Sequence, residues 1–179
     1  MANLVTREEY HRLGDEGFFP SDPRVELIHG IVYEMPRQDS WHSSTIQAAH
    51  EELQRVFKDG FDLRVQMPLA MDLWSEPAPD LAVVTGHWRD YLSDHPKMAV
   101  LVVEISGSSA RLDREEKRLL YAAAGIPEYW ILYVKTKRLE ILREPREGDY
   151  RSRVILEPGD TVTPCAAPGA SIRVADLLP

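Results

Sequence analysis

Hydrophobic and polar positions alternate along this chain with helical spacing in some stretches and strand spacing in others. Apolar residues from Ile46 to Phe57 recur at helical spacing, which predicts a long helix that runs to Lys58. Thr6-Arg7-Glu8-Glu9 has the spacing of a capping box, in which Thr6 and Glu9 satisfy free amides of a first turn. A short helix from Arg7 to Gly14 is therefore expected.

Strand patterns follow in the next part of the chain. Residues Arg24 to Met35 alternate around His29-Gly30, which predicts a tight hairpin. Phe61 to Asp72 alternates as a half-buried strand does. Leu81 to Val84 and Met98 to Ile105 are continuous β-branched runs, typical of strands covered on both faces. We expect these two strands at the centre of a sheet.

The second half of the chain continues the alternation of helix and strand patterns. It predicts a short helix within 86–96, a helix from Leu112 to Ala124, a strand from Glu128 to Val134, outer strands at Leu139–Leu142 and Tyr150–Leu156, and a helical turn at Val174–Leu178. The predicted connections between strands include both hairpins and crossovers. The sequence has no Gly-rich phosphate-binding loop. The pattern predicts a mixed α/β fold: a central mixed β-sheet flanked by helices, with an added N-terminal hairpin and C-terminal outer strands.

Composition narrows the class of protein. A length of 179 residues with 44% hydrophobic content suits a single domain over 1–179. The formal net charge of -8 excludes a chain-wide positive field that would attract polyanions. Cys165 is the single cysteine, the N-terminus lacks a signal-peptide pattern, and no apolar run approaches bilayer length. We expect a cytoplasmic protein without a membrane partner.

Two carboxylates accompany the central strands. Asp80 precedes the first strand, and Glu104 lies near the end of the second. If these strands pair antiparallel, the start of the first lies beside the end of the second, and Asp80 comes close to Glu104. Paired carboxylate oxygens are the ligands that Mg²⁺ prefers, with water completing its shell. The sequence therefore makes Asp80 and Glu104 candidate metal ligands.

A lysine on the following helix could join them. Angular spacing of 100° per residue groups two sets of side chains, a core face of Leu112, Leu119, Leu120 and Ala123 and an edge of Asp113, Lys117 and Tyr121. From that edge the Lys117 side chain could reach the strand end and stabilise charge that grows on a phosphate. A bound metal would lower the pKa of the attacking water. This set predicts phosphodiester hydrolysis.

Each candidate also has a purely structural interpretation. Asp80 follows Pro79, and this pair is common in turns. Glu104 lies among apolar neighbours and needs a partner, which an arginine or lysine could supply instead of a metal. Lys117 could pair with Asp113 one turn away, a contact worth only ~0.3 kcal/mol on an exposed face. Tyr121 could have a role in core packing alone.

The sequence lacks the motifs of a zinc site and of a nucleophilic hydrolase. The histidines show no H-x-H or H-x-x-x-H pair, which argues against a zinc site. Ser106 and the pair Ser108-Ser109 lack a G-x-S-x-G elbow, and Cys165 lacks the histidine context of a nucleophile. A small-molecule hydrolase or cofactor enzyme therefore has no motif in its favour.

The motifs together resemble a known family. PDLAVV at 79–84, LVVEISGSS at 101–109, Asp113-x-x-x-Lys117, Tyr121 and GIPEYW at 125–130 resemble the Uma-type restriction endonuclease family. This is a bacterial group within the PD-(D/E)XK nuclease superfamily. The VELIHGIVYEM segment and the His42 region resemble its opening hairpin and first long helix, and the likeness spans about Val25 to Tyr150.

The resemblance assigns roles to individual residues. It implies that Asp80 is the aspartate of the PD motif and that Glu104 is the acid of the second half-motif. The superfamily's usual lysine would stand two residues after that acid, where this chain has Ser106. In the Uma-type group the lysine has moved to the following helix, and Lys117 is the matching position. Glu26 matches an acid of the family hairpin and is a further candidate for metal binding. Ser106 and Tyr121 are candidates for a supporting role at the same site.

The resemblance also implies a restriction-endonuclease-like fold and an Mg²⁺-dependent DNA endonuclease, with Mn²⁺ as a substitute. Cutting both strands of a duplex needs two active sites or two visits, so a homodimer is one expected arrangement. The best candidate in the sequence for a DNA-binding basic cluster is Arg111, Arg114 and Arg118, which alternate with acids. The alternative from a different class is a non-catalytic module that keeps the nuclease-like fold for interaction or dimerisation.

Overall fold

The computed structural model describes residues 4–19, 24–107 and 110–179. The helices are α1 (Arg7–Asp15), α2 (Ser40–Val56), α3 (Ala110–Leu112) and α4 (Arg118–Ala123), with 3₁₀ turns at Trp88–Tyr91 and Val174–Leu177 and a π-helical segment at Asp113–Lys117. The strands are β1 (Val25–Ile28), β2 (Ile31–Glu34), β3 (Phe61–Val65), β4 (Leu81–Thr85), β5 (Leu101–Ser106), β6 (Glu128–Tyr133), β7 (Arg138–Arg146), β8 (Asp149–Leu156), β9 (Thr161–Val162) and β10 (Ile172–Arg173).

Six strands form the central sheet in the order β3-β4-β5-β6-β7-β8. Strands β5 and β6 are parallel, and every other neighbouring pair is antiparallel. All six residues of β5 are buried, as its continuous apolar run predicted. The predicted mixed α/β fold, including the N-terminal hairpin and the outer strands, is confirmed.

Helices cover both faces of this sheet. On one face, Ile46, Ala49 and Leu53 of α2 pack in a core with residues of β4, β5 and β6. The other face is covered by α3, the π-helical segment and α4, which together we call the interrupted helix. Its Tyr121 packs with Val102 of β5 in a second core. None of the helices in the described ranges has the length and apolar composition needed to cross a membrane.

Strands β1 and β2 pair as the predicted hairpin, with Ile28 opposite Ile31. The turn between them holds His29 at φ 50° and Gly30 at φ 76°. A Cβ atom on Gly30 would lie 2.9 Å from Leu4 Cβ, so only glycine fits there. A backbone bridge between Leu27 and Glu76 fixes the hairpin beside the segment that leads to β4.

The two N-terminal helices agree with the sequence patterns. Helix α1 begins after Thr6, whose hydroxyl accepts a hydrogen bond from the Glu9 amide at 3.2 Å. Helix α2 ends at Val56, two residues before the predicted Lys58, because the buried Phe57 has extended backbone.

Strand β3 is shorter than predicted. It ends at Val65, whereas the alternating pattern continued to Asp72. Gln66 has a φ of 51°, and its amide donates to the Asp80 carbonyl at 3.1 Å. Pro68 follows and has no amide for a ladder. The segment beyond Val65 is irregular, and its apolar residues are buried only in part, with Leu69 fully buried and Met67 47% exposed.

The predicted faces of the interrupted helix are correct only in part. Leu120 is buried as predicted, but Leu119 is 40% exposed and Ala123 is exposed. The predicted edge residues Asp113, Lys117 and Tyr121 are all buried. The π-helical segment adds a residue to its turn, and so the regular 100° spacing does not hold across it. Ser108 and Ser109, which precede this helix, lie outside the described residues.

Candidate active site

Asp80 and Glu104 lie side by side at one end of the central strands. Antiparallel pairing places Leu81 opposite Val103 and Ala82 opposite Val102, which confirms the predicted pairing of β4 with β5. The Ile105 amide donates to Asp80 Oδ2 at 2.8 Å, and the Asp80 amide lies 3.4 Å from Glu104 Oε2. The register of two strands therefore determines the position of both acids.

Two further side chains hold Asp80. His42 Nε2, from the first turn of α2, lies 3.1 Å from Asp80 Oδ1. Gln66 Nε2 donates to the same oxygen at 3.1 Å. Burial alone would raise the pKa of Asp80, but His42, the Ile105 amide and Lys117 outweigh it and hold that pKa below its ordinary value. Asp80 is thus a fixed, ionised carboxylate.

Lys117 lies behind the acids and connects two of them. Its Nζ atom donates to Glu104 Oε1 at 2.9 Å and lies 2.9 Å from Glu26 Oε2. Tyr121 OH donates to the same Glu104 oxygen at 2.9 Å. Burial alone would lower the pKa of Lys117, but Glu104, Glu26 and Asp113 raise it above its ordinary value. Lys117 is therefore a permanently charged ammonium inside the fold.

The pKa of Glu104 is shifted in the opposite direction from the pKa of Asp80. Burial raises its pKa well above the usual range, Lys117 counteracts this, and Asp80, Asp113 and Glu26 raise it further. The Glu104 carboxylate lies among more negative charge than Lys117 neutralises. An added cation close to its oxygens would lower that pKa again.

A cavity of about 320 Å³ opens over these acids. Its most buried lining residues are Glu26, Asp80 and Glu104, at 2%, 5% and 3% exposure, and we call them the acidic floor. His42 lines the cavity beside them, whereas Lys117 and Tyr121 lie behind this lining. The structure thus brings together five of the six predicted site residues.

Ser106, the sixth, is buried and lies on the same strand as Glu104, but it does not line the cavity. Its hydroxyl has no hydrogen-bond partner among the described residues. A supporting role for Ser106 stays a prediction.

Exposed basic side chains complete the cavity lining. Arg24, Arg37, Lys135 and Lys137 come from three separate segments, and we call them the basic rim. The arginines that sequence reasoning favoured lie elsewhere: Arg118 pairs with Asp149, and Arg111 belongs to a neighbouring groove. The basic rim escaped prediction because its members are distant in sequence.

The carboxylate oxygens of the acidic floor are ligands of the kind that a divalent metal binds. Glu26 Oε2 is a buried oxygen without a hydrogen-bond partner among the described residues, although it is close to Lys117. In the described part of the chain, no group of three or more His, Cys, Asp or Glu side chains is arranged to hold a metal ion by itself. Asp80 and Glu104 therefore offer two carboxylates, which fits an ion that keeps several waters, as Mg²⁺ does.

Comparisons with known proteins identify a family and a similar fold. Residues 7–175 match the model of the Uma2 family, which is described as "Putative restriction endonuclease". No curated protein sequence matches the chain significantly. The fold is similar to the crystal structure of a "putative nuclease belonging to DUF820" from Anabaena variabilis, with a TM-score of 0.75, 16% identity and 97% of each chain covered.

The family match includes the hairpin, all six strands of the central sheet and every residue of the acidic floor. It also covers α2 and the interrupted helix, which supply His42 and Lys117. The chain therefore belongs to the Uma2 family.

Proposed function

We propose that the protein is a divalent-metal-dependent DNA endonuclease that hydrolyses phosphodiester bonds in the cavity above Asp80 and Glu104. The observation that carries this proposal is the convergence of these two acids with Lys117 beneath a cavity whose rim is basic. Family membership supports a nuclease. The metal, the DNA substrate and the residue roles are the parts that we propose.

In this proposal Asp80 and Glu104 hold Mg²⁺, or Mn²⁺ in its place, which would supply positive charge at the phosphate and acidify a water. Asp80 contributes a carboxylate that His42 and the Ile105 amide keep ionised and that Gln66 also holds in place. Glu26 completes the acidic floor with an oxygen that lacks a hydrogen-bond partner among the described residues. These contacts orient the ligands before substrate arrives.

Lys117 acts through Glu104 in this proposal. Because its ammonium lies behind the acidic floor, it offsets the charge of Glu104 and Glu26 and fixes the direction of the Glu104 oxygens. Tyr121 fixes the same carboxylate through its own hydrogen bond to Oε1. Both are positioning residues, and Lys117 also lowers the negative potential that an approaching phosphate meets.

The basic rim provides the electrostatic support for DNA that the overall composition lacks. A chain of net charge -8 repels polyanions at a distance, but Arg24, Lys135 and Lys137 are exposed where a backbone phosphate would enter. Such contacts bind phosphates irrespective of sequence. We therefore expect binding that weakens as salt concentration rises.

Cleavage of circular DNA tests the proposal. Circular single-stranded DNA and supercoiled plasmid have no ends, so their linearisation or nicking by wild type with Mg²⁺ demonstrates endonuclease activity. Asp80→Asn and Glu104→Gln should each lower the rate by about 100-fold or more. Glu51→Gln, an exposed carboxylate of α2 outside the cavity, is the matched control.

Equal cleavage by wild type and both variants would contradict the proposed site. No cleavage by wild type under any of these conditions would favour the non-catalytic interaction or dimerisation module instead. The homodimer stays a prediction that sedimentation can test, since two active sites are needed only where both strands are cut in one visit.

A further inference from the structure

Trp41 lines the cavity and is 57% exposed. It belongs to the first turn of α2, directly before His42, whose ring contacts Asp80 Oδ1 at 3.1 Å. That contact fixes the first turn of α2 beside the acidic floor. A large aromatic surface therefore stands open to solvent next to the proposed reaction centre.

The size and chemistry of the cavity suit one nucleotide. Its volume of about 320 Å³ is at the small end of the range that encloses organic ligands. Met35, Pro36 and Val134 give its lining an apolar part beside Trp41, while the basic rim and the acidic floor give it charged parts. A base could occupy the apolar part while its phosphate approaches the floor.

The depth of the acids limits which nucleic acids can reach them. Asp80 and Glu104 are 5% and 3% exposed, so a phosphate must enter the cavity to approach their oxygens. A nucleotide that places its base as well as its phosphate in the cavity must leave its paired base and stacked neighbours behind. Entry of both groups therefore favours an unpaired nucleotide.

The surface beside the cavity also disfavours a second strand. Met35 and Pro36 separate the cavity from a neighbouring groove whose lining includes Glu34, Glu115 and Glu116. Among the described residues of that lining, Arg111 is the single basic one. The acids of this groove would repel the phosphates of a complementary strand on this side.

We propose that Trp41 is a stacking platform for an unpaired base and that the site accepts single-stranded DNA in preference to intact duplex. Stacking of bases on aromatic side chains is a common mode of single-strand recognition and tolerates any base sequence. The inference rests on the proposed function because it assigns the substrate class of the same site. It makes Trp41 a specificity-determining residue.

Binding measurements without cleavage test this inference. Fluorescence anisotropy with a labelled 12-nucleotide DNA, in buffer with EDTA, compares the single strand with its blunt duplex. Wild type should bind the single strand at least about tenfold more tightly. Trp41→Ala should remove most of that difference, and Trp41→Phe should retain it. Trp88→Ala is the matched control, because Trp88 is 49% exposed and does not line the cavity.

The possible results test the single-strand preference and the proposed endonuclease activity separately. Equal affinity of wild type for single strand and duplex, no detectable binding of either, or equal behaviour of Trp41→Ala and Trp88→Ala would overturn the inference. Tighter binding of RNA of the same sequence would overturn the assignment to DNA. Selective binding that depends on Trp41, without cleavage in Mg²⁺, would overturn the proposed endonuclease and leave the inference standing. Thermal melts of each variant verify folding.

Discussion

Lys117 Nζ and Glu104 Oε1 lie 2.9 Å apart inside the fold, where both side chains are almost completely buried. Lysine rarely occupies such a position unless it is paired. Here Glu26 Oε2, from the distant hairpin, also lies 2.9 Å from Lys117 Nζ. The hairpin, the central strand β5 and the interrupted helix therefore meet at a single cation.

Removal of that cation should destabilise the protein strongly. Lys117→Met leaves Glu26 and Glu104 buried without their partner, and we expect the free energy of unfolding to fall by about 3–5 kcal/mol. Urea denaturation at neutral pH measures this. Lys58→Met, at an exposed position on the segment after α2, should change it by less than about 0.5 kcal/mol.

A double variant separates the ion pair from simple packing. Glu104→Gln combined with Lys117→Met removes one negative charge together with the positive one, so it should be more stable than Lys117→Met alone. Unchanged stability of Lys117→Met would contradict the proposed role of the lysine as compensating charge.

His42 should contribute to cation affinity through Asp80. Its ring contacts Asp80 Oδ1 at 3.1 Å, and loss of such an outer-shell partner lowers metal affinity by about 10- to 100-fold in other sites. We expect His42→Ala to weaken Mn²⁺ binding by at least about tenfold. His50→Ala, two turns later in α2, should bind as wild type does. Equal binding by both variants would show that His42 does not act on the site.

Cation binding should depend on pH in a defined direction. The pKa of Glu104 is raised well above its usual value near 4.5, chiefly by burial, and so protons compete with a cation for its oxygens. Affinity should therefore increase with pH as Glu104 loses its proton. Titrations in buffers of different ionisation enthalpy should detect proton release on binding. A pH-independent affinity would contradict the assignment of Glu104 as a ligand.

The sequence predicts the pair of acids well because strand register determines their positions. Asp80 and Glu104 stand at positions that antiparallel pairing of β4 and β5 brings together, and the structure has that pairing. The β-hairpin and the capped helix α1 are equally local patterns, and both occur where predicted. Features that depend on neighbouring residues can therefore be predicted from the sequence.

Contacts between distant segments were not predictable in the same way. The burial of Lys117 depends on Glu26, 91 positions earlier by residue number, and on a π-helical segment that changes the face of the helix. His42 and Gln66 reach Asp80 from other elements, and their one local signal is a position at the start of α2 or directly after β3. The basic rim is also assembled only by the fold.

Calorimetric titration of Mn²⁺ into the purified protein measures whether Asp80 and Glu104 together hold one divalent cation. Wild type should bind a single ion, and Asp80→Asn and Glu104→Gln should each lose that binding while Glu51→Gln retains it. Equal binding isotherms for wild type and the two site variants would show that these acids do not hold the ion.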